Sequence, residues 1–313
     1  MRAVLVTNPA ATTASGWTRE VLVRALKAEL DLSVELTSHR GHATEIARKA
    51  REANVDAVIT LGGDGTVNEV INGLLSTSHN PLPVLGTIPG GLANVFPRSL
   101  GYTADAMAAC GELLEGLQAE TFRTIPLGQF NERYFAFNAS LGLDAGIIED
   151  VEAQRAEGHK ASPGMYLLTG LKRFRESKQV PNISVVTADG RKFDNIYMVV
   201  IQNTSPWVFV GPIPFDFSPH ASFDRGLDLV ALTSMTPTAL ATYMAETAAG
   251  IALNRRSNTV AIENFESLTI SAQTPLPAQV DGDSLGEVRE VSVRSVPDAL
   301  RVVVPVDQFA HSQ

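Results

Sequence analysis

The sequence predicts two domains: an α/β domain on a parallel sheet, followed by a β-rich sandwich. Three observations carry this. Through residue 118, short apolar runs rich in β-branched residues alternate with helical periodicities, the mark of a parallel sheet covered on both faces. Two of the strand-to-helix junctions are rich in glycine, within Val58 to Gly73 and within Leu85 to Phe96. From about Thr121 the pattern changes to short alternating strands, as in an antiparallel sandwich.

Taken in order, Ala3-Val4-Leu5-Val6 reads as a buried strand and Asn8-Pro9-Ala10-Ala11-Thr12 as the loop after it. Trp17 to Leu30 reads as a helix with Val21, Leu22, Ala25 and Leu26 on one face. Val34 to Thr37 is the second strand and Ala43 to Ala53 the second helix. The third strand begins at Val58, and Val67, Val70, Ile71 and Leu74 form the face of the helix after it. Val84 to Ile88 is the fourth strand, and residues 104–118 form one more helix. Ligands of such sheets bind beyond the carboxyl ends of the strands. Asn8, Thr37, Gly63 and Gly90 all follow strands, so they are expected on one edge. The later strands are Tyr134–Phe137, Ile183–Val186, Ile196–Val200, Leu227–Leu232, Leu268–Ile270 and Val291–Val293.

The junction Gly62-Gly63-Asp64-Gly65 carries the first chemistry. Glycine permits positive φ and close approach of backbone N–H groups to a ligand. A glycine turn entering a helix N-terminus suits phosphate. It is not a Walker P-loop, because no Lys-Ser or Lys-Thr follows the last glycine. Asp64 suits phosphate only with a divalent metal between them, so the functional reading is a Mg-nucleotide site. The plain alternative is a tight strand-to-helix turn.

At 313 residues the chain is long enough for two domains, and 44% hydrophobic residues support a substantial core. A mean hydropathy of +0.06 fits a soluble globular chain. The balance of 25 basic and 34 acidic residues, a net charge of −9, argues against a nucleic-acid partner. It also disfavours adsorption to an anionic membrane over most of the surface.

One segment runs against that mean. Arg155 to Lys192 holds eight basic residues (Arg155, Lys160, Lys172, Arg173, Arg175, Lys178, Arg191, Lys192) against three acidic ones. Leu167, Leu168, Leu171 and Phe174 give it a helical apolar face. Two readings stay open: a helix on a membrane surface, or a docked helix with a solvated cationic side. The apolar stretch Trp207 to Phe215 reads equally as an acyl-chain groove or a buried connection.

The single cysteine, Cys110, lies in an alanine-rich helical run and reads as a buried hydrophobe. Met1 to Thr7 reads directly as a strand, so no signal peptide is expected. Leu229 to Ala245 is broken by Ser234, Thr236, Pro237 and Thr238, so no membrane helix is expected there, and a cytoplasmic location follows. Asn138 to Gly142 lacks the first glycine of a nucleophile elbow, and His39 with His42 cannot assemble a zinc set beside one cysteine.

The run Gly62-Gly63-Asp64-Gly65-Thr66-Val67-Asn68-Glu69 resembles the Gly-Gly-Asp-Gly-Thr-x-Asn-Glu turn of the diacylglycerol kinase and sphingosine kinase superfamily in its soluble bacterial form. Further matches lie at Leu85 to Phe96, Asn8-Pro9, Gly41-His42-Ala43, Asn138 to Ala145 and Asp281-Gly282, so the resemblance spans nearly the whole chain. It implies an NAD kinase/diacylglycerol kinase-like α/β domain, residues 1–121 with a final strand (Leu300 to Val304) returning from about 298, and a lipid-substrate sandwich, residues 122–297. It also implies an ATP-dependent lipid kinase working with Mg2+. Its nucleotide site takes in Asn8, Pro9, Ala10, Ala11, Thr12, Thr37, Gly62 to Glu69 (with Val67) and Asn94, its catalytic acids Asp64 and Asp283, and Asp283 is the general base. The implied partners are a lipid substrate, peripheral contact with the inner membrane surface and, as one assembly, a homodimer.

The chain departs from the family in places. Leu92, Val95 and Pro126 stand where the family usually has Thr, Asp and Asp. Asp283 stands for the family's closing Glu. The family's structural metal loop becomes Asp224-Arg225-Gly226, which weakens the case for a metal at Asp224. The alternative function is therefore a weak or inactive lipid- or nucleotide-binding protein on the same fold. A soluble NAD kinase shares the glycine turn but not the Asn138–Ala145 or Asp281-Gly282-Asp283 context.

Overall fold

The structure, a computed structural model, describes residues 1–9, 16–79, 81–159, 162–176, 180–253 and 256–311. The chain forms two compact units: residues 1–125 with 298–313, and residues 126–297. Among the described residues no helix is long and apolar enough to cross a membrane.

The first unit opens as four βα steps. They are β1 (Arg2–Thr7), α1 (Gly16–Glu29), β2 (Asp31–Leu36), α2 (His42–Glu52), β3 (Ala57–Gly62), α3 (Asp64–Leu75), β4 (Val84–Pro89) and α4 (Val95–Ser99), followed by α5 (Ala106–Gln118). The strands run parallel in the order β2-β1-β3-β4. Strands β3 and β4 are buried at every residue, which is why their sequences are nearly continuously apolar rather than alternating, with the buried Thr60 hydroxyl paired to that of Thr87 at 3.1 Å. β2 is the edge, and Asp31, Ser33 and Glu35 are exposed along it; the two carboxylates blunt further strand pairing. Leu22 and Leu26 of α1, Val70, Ile71 and Leu74 of α3, and Leu113 of α5 are buried with the strands' Leu5, Ile59, Leu61 and Leu85.

The C-terminal segment rejoins this unit. Val302 pairs in parallel with Leu85, and helix α9 (Val306–His311) follows. The Tyr102 hydroxyl donates to Val303 O at 3.0 Å, and the Thr121 hydroxyl donates to Val304 O at 2.7 Å. The Arg301 guanidinium lies 4.3 Å from the Phe122 ring centroid.

The second unit carries the end of β5 (Phe122–Phe130), then β6 (Arg133–Phe135), β7 (Asn138–Leu141), α6 (Leu143–Ala156) and α7 (Pro163–Glu176). Next come β8 (Ile183–Thr187), β9 (Lys192–Ile196), β10 (Met198–Gln202), β11 (Val208–Val210), β12 (Ile213–Phe215), β13 (Leu227–Leu232) and α8 (Pro237–Ala248). β14 (Thr259–Phe265), β15 (Ser267–Val280) and most of β16 (Asp283–Val303) complete it. Every pairing within this unit with a printed register is antiparallel, as in β10 with β7 and β13. Besides β16, β15 has two partners: Leu268 to Ala272 pair with β8, and Ala278 to Val280 pair with β7. A register shift between Ser271 and Leu276 separates the two halves.

The period of two explains the packing of β10. Val199 and Ile201 point into one core with Leu229, Ile270 and Val291. Met198 and Val200 point into another, with Phe217, Tyr243 and Leu253.

Several expected elements differ in extent. The run Ile196–Val200 is broken at Tyr197: Ile196 pairs with Ile183 of β8, whereas Val199 pairs with Leu141 of β7. Ala136 and Phe137 fall after β6 rather than within a strand. Leu268–Ile270 and Val291–Val293 are pieces of strands of 14 and 21 residues, and Leu300–Val303 is the end of the second of these. Helix α8, unmarked by periodicity, is capped by Thr236, whose hydroxyl accepts from Ala239 N at 3.2 Å, with Pro237 in the first turn.

Candidate functional site

The order β2-β1-β3-β4 places a topological switch point between β1 and β3, where the chain turns to opposite sides after adjacent strands. Thr7 and Asn8 follow β1 there, and Gly62 and Gly63 end β3. Asn8 N donates to Leu61 O at 3.3 Å, and Thr37 N donates to Thr7 O at 3.0 Å. The Thr7 hydroxyl is buried with no hydrogen-bond partner, an acceptor and donor left for something else. Pro9 is exposed, while Ala10, Ala11 and Thr12 lie outside the described residues.

The two glycine loops lie backbone against backbone. Gly90 N donates to Gly62 O at 2.8 Å. A Cβ added at Gly91 would stand 2.6 Å from Gly63 Cα, closer than real side chains approach. These glycines therefore serve the contact between the two loops.

Asp64 fastens that contact. Its Oδ2 accepts from Val95 N and its Oδ1 from Phe96 N, each at 3.0 Å. Burial pushes its carboxyl above the usual range, opposed by the N–H groups of Phe96, Val95, Asp64 itself and Asn94. Asn94 holds a left-handed φ of 49°; its Oδ1 accepts from Gly91 N at 2.7 Å and its Nδ2 donates to Gly91 O at 2.9 Å. Both residues brace the loops.

The rest of the turn motif faces inward. Val67 and Asn68 are buried, and Asn68 Oδ1 accepts from Asn72 Nδ2 at 3.1 Å. Thr66 N and Val67 N donate to Gly63 O, closing the first turn of α3. Glu69 accepts from Gly41 N at 2.8 Å and Ala43 N at 3.1 Å, tying the start of α2 to α3. That explains the Gly41-His42-Ala43 motif. Val95 is core and Leu92 is 48% exposed, and neither side chain supplies a polar group to the loops. Cys110 is buried and its thiol is pushed up to about 11, which keeps it protonated and inert.

In the second unit the motifs at Asn138–Ala145 and Asp281-Gly282 interlock. Asp281 and Gly282, with φ of 49° and 81°, form a two-residue hairpin loop between paired Val280 and Asp283. The Asp281 carboxylate is buried and accepts from Ala136 N at 2.6 Å, Phe137 N at 3.0 Å and Asn138 N at 3.1 Å. Gln279 Nε2 donates to Asn138 Oδ1, Ser140 Oγ and Asp144 Oδ2 at 3.0–3.2 Å. Burial raises the Asp144 carboxyl, against the bonds from Ser140 and Gln279. Asp281 is thus a brace. Asp281→Asn keeps a residue that tolerates left-handed φ but removes the charge that three N–H groups share. It should destabilise the protein by about 1–3 kcal/mol, read as a lower urea midpoint at unchanged slope.

Asp283 is placed differently. Its side chain is 18% exposed, and its Oδ2 lies 3.5 Å from Arg133 Nη2. Arg133 Nε is buried with no hydrogen-bond partner. Next to it, Ser284 N donates to Glu152 Oε1 at 3.3 Å. Neither Arg133 nor Glu152 is marked by sequence, because each meets this turn only through the tertiary fold. Pro126 O accepts from Asn203 Nδ2 at 2.9 Å, and the buried Asn203 Oδ1 has no hydrogen-bond partner.

The residues do not support a metal at Asp224. It is exposed, and Arg225 Nη2 stands 3.5 Å from the buried Asp228, supplying the positive charge locally. Among the described residues no group of three or more His, Cys, Asp or Glu could hold a metal.

Comparison with known proteins places the chain. A model of the diacylglycerol kinase catalytic domain matches residues 2–130, and a model of the YegS C-terminal NAD kinase beta sandwich-like domain matches residues 138–304. The chain belongs to the diacylglycerol kinase/YegS-type lipid kinase family. A diacylglycerol kinase of Staphylococcus carnosus is 28% identical over 86% of this chain and 83% of its own. One from Staphylococcus aureus strain Newman is 27% identical over 86% and 81%. A crystal structure of a diacylglycerol kinase from Bacillus anthracis superposes with a TM-score of 0.72 at 19% identity, covering 98% of this chain and 97% of that one. An Archaeoglobus fulgidus NAD kinase, solved in complex with ATP, gives 0.51 at 14% identity, covering 99% and 96%. These two likenesses concern the fold. Family membership makes the function kinase-type and lipid-kinase-like.

Proposed function

We propose that the protein is an ATP-dependent lipid kinase that transfers the γ-phosphate of ATP to a hydroxyl of a diacylglycerol-like lipid. The observation that carries this reading is the switch point of the first unit. There an unpartnered buried hydroxyl, Thr7, stands beside glycine loops whose backbones pack directly against each other. That arrangement suits the phosphates of a nucleotide, with the start of α3 directed at them. Mg2+ fits as an ion carried by the phosphates, because both oxygens of Asp64 already accept from Val95 N and Phe96 N; Mg2+ keeps water and phosphate ligands in such sites. When bound it neutralises phosphate charge.

In this reading Asp64 and Asn94 hold the two loops in register, so the nucleotide meets a preorganised backbone. Asp283 accepts the acceptor hydroxyl's proton as the new O–P bond forms and the bond to the β-phosphate bridging oxygen breaks, leaving ADP. Arg133 orients Asp283. A second reading, a binding protein with little turnover, is favoured by Val95 and Leu92, which bring no carboxylate or hydroxyl to the loops. Incubation with γ-labelled ATP and Mg2+ against diacylglycerol, sphingosine, ceramide and glycolipid acceptors, with NAD alongside, separates the readings. Label should pass to a lipid, with diacylglycerol the leading acceptor. Nucleotide binding without label transfer to any acceptor overturns the kinase reading, and label on NAD replaces it.

A further inference from the structure

One buried side chain of the second unit is polar where packing alone would take an apolar one. Gln279 lies in β15 between Ala278 and Val280, both of them core residues, and is itself buried. It stands opposite Ser140 of β7 on one side and Ser284 of β16 on the other. Burying an amide costs free energy unless its hydrogen bonds are made, and here both ends are engaged. Nε2 donates to Asn138 Oδ1 and Ser140 Oγ at 3.0 Å and to Asp144 Oδ2 at 3.2 Å, while Oε1 accepts from Gly282 N at 2.9 Å. The amide cannot turn over. Reversed, its oxygen would face the Asp144 carboxylate and its NH2 group the Gly282 N–H, like against like. Asp144, in the first turn of α6, is held in turn by the Ser140 hydroxyl.

Gly282 immediately precedes Asp283 and has a φ of 81°. Glycine leaves its backbone more rotational freedom than any other residue, so a bond to this N–H removes motion that sterics permit. The Asp281 carboxylate pins the other side of the loop, to Ala136, Phe137 and Asn138. We infer that Gln279 is a positioning residue for the proposed transfer: gripped by Asn138, Ser140 and Asp144, its amide oxygen fixes Gly282 N and so aims the Asp283 carboxylate at the acceptor hydroxyl. Arg133 holds that carboxylate at its side-chain end, and Gln279 holds it from the backbone. The inference rests on the reading of Asp283 as the base that takes the acceptor's proton.

The test is a double-mutant cycle of Gln279→Met with Asp283→Asn, read in kcat and in the KM values for ATP and diacylglycerol. Methionine has the length and flexibility of glutamine but no N–H donor and no strong acceptor. Alone, Gln279→Met should lower kcat by about tenfold or more, the cost of a misplaced catalytic group, and leave the KM for ATP at its parent value. In the Asp283→Asn background it should change kcat by less than about twofold, because the carboxylate it positions is gone. An amide that serves only stability would give the same loss in both backgrounds. Ser140→Ala removes one of the three acceptors and should give a smaller loss with the same dependence on Asp283. Parent-like kcat in Gln279→Met (or in Ser140→Ala, where Gln279→Met does not fold) overturns the positioning role, as does an equal loss in both backgrounds, and either result leaves Asp283 as the base. Parent-like kcat in Asp283→Asn overturns the base and the positioning role together. A parent that transfers no label overturns the kinase reading and both roles with it.

Discussion

Replacing Gly91 by Val should weaken ATP binding by about a hundredfold or more, the scale expected when a binding element moves by about 1 Å, while the protein stays folded. The added Cβ would lie 2.6 Å from Gly63 Cα and 3.1 Å from Asn94 Oδ1. The nearest atom is backbone, which cannot swing aside, so the two glycine loops must separate. Separation breaks the bond from Gly90 N to Gly62 O and pulls Val95 and Phe96 from the Asp64 carboxylate. Overpacking of this kind costs about 1–3 kcal/mol, less than the several kcal/mol that keep a domain folded. Calorimetric titration with ATP, beside a thermal melt, checks both halves. Gly111→Ala is the control: it sits in α5 with nothing within 4 Å of the added methyl, and its ATP affinity should match the parent. Parent-like ATP affinity in folded Gly91→Val would show that the loops do not cradle the nucleotide.

How much of this was legible in the sequence depended on how far apart the partners lie. The parallel sheet was readable because β3 and β4 are buried on both faces and so are nearly continuously apolar. The sandwich was readable as a class but not in extent. β15 contains Pro275 and Pro277 and shifts register between Ser271 and Leu276, so its two halves look like separate short strands. At the candidate site, the glycine turn announced itself through composition alone. The role of its polar residues did not: Asp64 and Asn94 look like ligand groups until the second loop is seen bonded to them. Asp281 similarly meets Ala136 N across 145 residues of chain. The periodicity of α7 predicted an apolar stripe, but which side α6 covers is decided by Arg173 and Thr169, whose contacts no periodicity reports.

Asp283→Asn should lower kcat by about 10² to 10⁴, the range for a lost general base, and leave ATP affinity near that of the parent. The carboxylate is suited to the role by its setting. It follows a hairpin loop pinned by three N–H bonds to Asp281, so its backbone has little freedom. Its side chain is only 18% exposed, and Arg133 Nη2 fixes one oxygen at 3.5 Å. Phosphoryl transfer passes through a loose transition state, so the position of the acceptor oxygen matters at least as much as its deprotonation. Asn preserves size and shape but cannot take a proton, so the substitution isolates the chemical role. Asp283→Glu restores the acid with one more methylene and should keep measurable turnover. Arg133→Gln leaves the acid and loosens its orientation, so its kcat should fall by about tenfold, a smaller loss than that of Asp283→Asn. Single-turnover transfer of labelled phosphate, with nucleotide affinity measured separately, distinguishes these effects. If Asp283→Asn transfers phosphate as fast as the parent, the proton goes elsewhere, to Asp64 or to an oxygen of the phosphate itself, and Asp283 serves only the hairpin and its ion pair with Arg133.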